Sequence, residues 1–159
     1  MVSLAAIKKS GGIGLFTLSI VFSATPVFAQ SGLSVDTAIA TATQWVNLAD
    51  ANQVERMWNT SGPIMQKNIN KADWGKYLGT LQSELGRVNE RAWAQVIRIT
   101  NPANLPAGEY VNVAFSSRFT KSPMMEKISL VQTAGQWVPV GYVVSKIESP
   151  VAPAVIPAK

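Results

Sequence analysis

Lys71-Ala72-Asp73-Trp74-Gly75-Lys76-Tyr77-Leu78-Gly79-Thr80-Leu81-Gln82-Ser83-Glu84-Leu85-Gly86 is the stretch at which the chain changes its period. Trp74, Tyr77, Leu78, Leu81 and Leu85 recur at three- and four-residue intervals, which predicts a helix beginning around Lys71-Ala72-Asp73. Gly86 suits the left-handed position that closes such a helix. Beyond it the period drops to about 2. Arg91 to Ile99 is rich in Trp, Val and Ile and reads as a strand, followed by loop signals at Asn101-Pro102 and Pro106-Ala107-Gly108. From Tyr110 to Thr120 the side chains alternate, with Val111, Val113, Phe115 and Phe119 on one face and Asn112, Ser116 and Arg118 on the other. One face is therefore buried and the other polar. Glu126 to Val131 predicts a third strand, Thr133-Ala134-Gly135-Gln136 a tight connection, and Trp137 to Val144 a fourth strand. Such short links imply an antiparallel meander. Pro139 cannot donate to a strand ladder, so the last strand is an edge or carries a bulge there.

Working back from Lys71, the sequence is helical. Ser34 is a suitable N-cap, and Val35, Ala38, Ile39, Ala42, Val46 and Ala49 form an apolar stripe running to Asp50. A shorter helical piece carries Val54, Met57 and Trp58 and stops near Gly62-Pro63, with a further turn possible from Pro63 to Asn68. Helices gathered before an antiparallel sheet give an α+β fold, with the N-terminal helices packed on one face of a four-stranded meander. The opposite face, expected to be concave, is the natural place for a ligand or partner.

Before Ser34 the chain reads as an address. Lys8 and Lys9 precede an uncharged apolar stretch from Ile13 to Ala24, and small residues at Val27 and Ala29 predict cleavage between Ala29 and Gln30. The apolar stretch is too short to span a bilayer, which takes roughly 20 residues. The expected organisation is a signal peptide over 1–29, one α+β domain over 30–146, and a Pro/Ala-rich disordered tail over 147–159. Localisation is expected to be periplasmic or secreted, with no membrane embedding after cleavage. Removing the signal takes away two of the 14 basic residues and none of the 9 acids, so the formal net charge falls from +5 to +3.

The absence of histidine and cysteine excludes disulfides, thiol nucleophiles, Ser-His-Asp triads and the common zinc sites. The nine acids are scattered, so neither a metal site nor a cofactor is expected. Nucleic acid is not an expected partner either, because the charge is modest and no recognition module is present. Glu126 is the acid of interest, since alternation puts it on the face of Ile128 and Leu130. In an apolar pocket it would act as a general base; at the start of a strand it would pair with Arg91 or Arg118 across the sheet. Trp45, Trp58 and Trp74 fall on or near the helix stripes and read as core, whereas Trp93 and Trp137 have ambiguous faces and are candidates for a groove. The candidate ligand-binding set is Arg91, Trp93, Tyr110, Arg118, Glu126, Trp137 and Tyr142, with Glu126 the sole candidate catalytic group.

Trp45-Val46-Asn47-Leu48-Ala49-Asp50, Met57-Trp58, Trp74, Leu85-Gly86-Arg87-Val88, Arg91, Leu105-Pro106, Gly108-Glu109-Tyr110-Val111, Phe119, Glu126, Gly135-Gln136-Trp137 and Gly141-Tyr142 occur in an order and spacing that carry a resemblance. The chain resembles a bacterial exported family known only as domain of unknown function 4019. It departs from the family pattern at Gln82, Glu84 and Pro139. The resemblance implies a fold similar to the cystatin-like or nuclear-transport-factor-like group, and no established activity. Three functions are in contention. The first is a non-catalytic binding or accessory module of the cell envelope, holding a protein or small ligand. The second is a small isomerase-like enzyme or carrier whose apolar pocket contains Glu126 with Tyr110 or Tyr142. The third is a structural subunit that dimerises through its sheet.

Overall fold

The structure, a computed structural model, describes residues 34–147. The expected signal peptide, its cleavage site and residues 148–159 of the expected tail lie outside the described residues. Within them the chain runs α1 (Val35–Asp50), α2 (Val54–Asn59), α3 (Pro63–Asn68), α4 (Lys71–Leu85), β1 (Val88–Thr100), β2 (Glu109–Phe119), β3 (Pro123–Thr133) and β4 (Gln136–Lys146). The strands form one antiparallel sheet in the order β1-β2-β3-β4. This is the expected α+β meander, with strands that reach further at their ends than the alternation alone marked out.

The helix boundaries follow from local chemistry. Ser34 Oγ accepts from the Thr37 backbone N–H at 3.1 Å, and Asn70 Oδ1 from that of Asp73 at 2.9 Å, so α1 and α4 each start on a side-chain cap. Pro63 opens α3 after Gly62, where its missing N–H costs no helical bond. At Gly86 φ is +79°, and a Cβ there would sit 2.9 Å from that of Thr120, so both backbone and space require glycine.

The core lies between the helices and one face of the sheet. Ala38, Ala42, Trp45 and Val46 of α1, Met57 of α2, Met65 of α3 and Trp74 and Leu78 of α4 pack on the sheet residues Val111, Val113, Phe115, Ile128, Leu130, Trp137 and Tyr142. Trp45, Trp74, Tyr77 and Tyr142 form an aromatic cluster, with Trp74 stacked on Trp45 at 5.9 Å and on Tyr77 at 5.4 Å. The other sheet face has no helix over it. Across its middle runs the row Ile97, Asn112, Ser129 and Gly141, where Ser129 donates to Asn112 at 2.7 Å.

Both expected consequences of Pro139 are present. β4 is an edge strand, and the β3–β4 register slips between Ser129 and Leu130, leaving Pro139 opposite Leu130. The Gly62 N–H donates to the Pro139 carbonyl at 2.7 Å, so the start of α3 caps this edge.

Candidate functional site

Among the described residues, the buried side chains on the sheet face under the helices are apolar except for Ser117 and Glu126, which lie near the C-terminal end of α1. There Glu126 of β3 is fully buried. An unpaired carboxylate in such a place would be costly, so its partners decide what it does. Arg91, arriving from β1, donates Nε to Glu126 Oε2 at 2.6 Å and Nη2 to Oε1 at 3.1 Å. Ser117 of β2 donates its hydroxyl to Oε2, and Tyr142 of β4 donates its phenol to Oε1 at 2.5 Å. Each carboxylate oxygen thus accepts two hydrogen bonds, which fills the acceptor capacity of the group.

Arg91 is equally committed. Besides Glu126 it meets Asp50 at the end of α1, with Nη1 to Oδ2 at 2.6 Å and Nη2 to Oδ1 at 3.2 Å, and Asn47 Oδ1 at 3.3 Å from Nη1. Five contacts match the five N–H groups of a guanidinium. Burial disfavours the Arg91 charge, but the hydrogen bonds and charges of Asp50 and Glu126 outweigh it, so its pKa is raised above the ordinary arginine value. Tyr142 is also pushed up, first by burial and then by the negative charge and hydrogen bond of Glu126. Tyr77 of α4 rises as well, mainly through burial. The result is one closed network tying α1 to all four strands.

As chemistry, this network is a clamp. A general base needs a free lone pair within reach of a substrate proton. Glu126 has none, and it lies in the wall of neither large cavity of the described residues. Of the two sequence readings, the cross-sheet pair is the one the geometry shows, and its arginine is Arg91. Arg118 lies on the helix-free face with an exposed side chain, 3.8 Å from Glu90.

The remaining candidates do not gather there. Trp93 is on the same strand face as Arg91, opposite Phe115, but is 59% exposed. Tyr110 and Trp137 sit at the far end of the sheet. Tyr110 is buried and donates to the Pro106 carbonyl at 2.9 Å, and Trp137 is core, its Nε1 donating to the Ser34 carbonyl at 3.4 Å. Only Arg91, Glu126 and Tyr142 are brought together.

Three participants were missed by the sequence reading. Asp50 is an acid at a helix C-terminus, where the helix dipole opposes it, and that misfit signals a partner elsewhere. Ser117 is a polar residue in register with Val113, Phe115 and Phe119 on the buried face, which is the same kind of signal. Asn47 offers no comparable mark.

Two cavities flank Tyr142. A cleft of about 430 Å³ opens between α4, the end of α1 and the start of β1; Asp50, Gly79, Gln82, Arg87, Phe119 and Tyr142 are in its wall. A groove of about 490 Å³ lies on the other side, between α3, α4 and β4. Among the described residues no group of three or more acids could hold a metal ion, and no helix is long and apolar enough to cross a membrane.

A family model described as a protein of unknown function (DUF4019) matches residues 41–142. The chain belongs to that family. No curated protein and no solved structure matches it.

Proposed function

From membership of a family whose description assigns no activity, we propose that the chain is a non-catalytic binding or accessory module, exported to the cell envelope. The observation that carries this reading is the saturation of Glu126. The one acid suited by position to general-base work has all its acceptor sites filled by Arg91, Ser117 and Tyr142, and a chain without histidine or cysteine has few other groups to do that work. Export is supported by Lys8 and Lys9 before the apolar run Ile13 to Ala24 and by the small residue Ala29 at the proposed cleavage site. A cystatin-like arrangement is supported by helices that precede and cover one face of an antiparallel meander.

A specific observation also favours the third reading, a subunit that dimerises through its sheet. The helix-free face exposes Ile97 (45%) and Val143 (51%), with Asn112 and Ser129 in the row beside Ile97 and Lys127 paired with Val143, a partly apolar surface open to a second copy. Fractionation of the native cells followed by mass spectrometry tests the main proposal. The expected result is a soluble envelope protein starting at Gln30, with sheet residues cross-linked to a partner or a molecule retained under mild conditions. An uncleaved chain in the cytoplasm, or turnover of a retained molecule, would overturn it.

A further inference from the structure

The two edges of the sheet differ in how they are protected. On β4 the Pro139 carbonyl accepts from the Gly62 N–H at 2.7 Å, the proline itself offers no N–H, and Trp137, Pro139 and Tyr142 are buried. β1 has none of these protections. It is 13 residues long, contains neither proline nor glycine, and none of its residues is buried. Among the described residues it pairs with β2 alone, and no other backbone group bonds to it. An antiparallel edge strand turns about half of its N–H and C=O groups outward, and a long edge left in that state is a template for another strand. Two of the large apolar side chains exposed on the described residues stand on this strand, Trp93 on the helix side and Ile97 on the helix-free side. An added strand would cover both at once, because its own side chains alternate between the two faces.

We propose that β1 pairs edge to edge, antiparallel, with β1 of a second copy of this chain, so that the two sheets become one. The bulge between Trp93 and Gln95 makes the faces of the strand symmetric about the Ala94-Gln95 bond. Arg91 and Trp93 before it share the helix side with Val96 and Arg98 after it, and Ala92 shares the helix-free side with Ile97. A twofold axis at that bond sets Trp93 against Val96 of the second copy and Ile97 against its Ala92, so each large exposed side chain meets a smaller apolar one on its own face. Arg98 comes opposite Arg91 of the second copy. There two carboxylates, Asp50 and Glu126, share one guanidinium, so the clamp carries a formal net negative charge that attracts Arg98. The strand is thus complementary to itself in size and in charge, which selects a second copy over an unrelated strand. The proposal rests on the reading of a subunit that dimerises through its sheet and gives that reading its contact.

Sedimentation velocity of the protein purified from full-length expression tests it. The expected result is a reversible dimer, with amide hydrogen exchange along Val88–Thr100 slowing as the dimer forms. Trp93→Lys and Ile97→Lys alter exposed side chains on opposite faces of the edge. Each is expected to weaken the dimer about tenfold or more, and the second variant answers if the first does not fold. Val143→Lys, on the helix-free face of β4, is expected to leave the dimer constant within about twofold. A dimer weakened by Val143→Lys but not by Trp93→Lys would overturn the edge contact and leave the dimerising reading standing on the helix-free face. A dimer indifferent to all three substitutions, or one that forms without slower exchange in β1, would overturn the edge contact too. A monomer up to about 100 μM would overturn the proposal and the dimerising reading together. So would a chain that is monomeric alone and uses Trp93 to hold a different protein.

Discussion

Replacing Glu126 by glutamine removes one negative charge from the interior while keeping nearly the same shape. In the native clamp four donors converge on the two carboxylate oxygens, two of them from Arg91. A glutamine retains one oxygen and presents an NH₂ in place of the other. The Ser117 or Tyr142 hydroxyl can rotate to accept from that NH₂, but a guanidinium has no acceptor, so at least one Arg91 N–H is left facing another donor. Removing one member of a buried ion pair costs about 3–5 kcal/mol. Asp50 stays on the guanidinium, which brings the expected loss to about 2–4 kcal/mol and the fall in Tm to about 6–15 °C. The Asp50 side chain is 36% exposed, so Asp50→Asn is expected to cost no more than about 1 kcal/mol. Urea unfolding followed by circular dichroism at neutral pH gives both values, and a cycle with Arg91→Met is expected to show a coupling of about 1–3 kcal/mol between Arg91 and Glu126. A loss below about 1 kcal/mol for Glu126→Gln, or a coupling near zero, would refute the clamp and return Glu126 to the list of candidate catalytic groups.

Other consequences follow from the same structure. Tyr77 and Tyr142 have raised pKa values through burial, reinforced at Tyr142 by Glu126. Below pH about 10 both phenols are protonated in the folded and unfolded chain; above it the unfolded chain releases protons that the folded one keeps, so stability falls as pH rises. Urea midpoints measured from about pH 9 to 11 should decline, and Tyr142→Phe should make the decline shallower. In the β3–β4 turn Ala134 has φ +48° and Gly135 φ +74°, a pairing that favours asparagine in the first position; Ala134→Asn should stabilise the domain by about 0.5–1 kcal/mol in the same assay. Gly79, inside α4, has no atom within 4 Å of where a Cβ would stand, so Gly79→Ala should add about 0.5–1 kcal/mol, and a loss would show that the cleft is narrower than described.

The helix ends and the order of strands were legible in the sequence because they depend on local chemistry: Ser34, Pro63 and Gly86 act within a turn of where they stand. The site was legible only in part. Alternation placed Glu126 on the buried face, but choosing Arg91 over Arg118 required the register between β1 and β2. That register is irregular. A bulge between Trp93 and Gln95 leaves Arg91 and Trp93 on the same face as Val96 and Arg98, so no single period of two fits β1 and its inward face cannot be counted out from the sequence. Trp137 had an ambiguous face for a related reason: the slip at Ser129/Leu130 shifts β4 relative to its partner. Asp50 was overlooked because its partner lies 41 residues away in sequence, although its place at a helix C-terminus is a readable anomaly.

The buried Glu126 carboxylate holds the domain together and does not itself act on a substrate. The most direct test measures both sides of this in Glu126→Gln, at a temperature low enough for the variant to remain folded, by urea unfolding and by mass spectrometry of whatever partner or molecule the protein retains through mild purification. The expected result is a stability loss of about 2–4 kcal/mol with the partner or molecule retained as by the unaltered protein. Unchanged stability together with loss of the retained partner or molecule would place Glu126 in the functional site and contradict this.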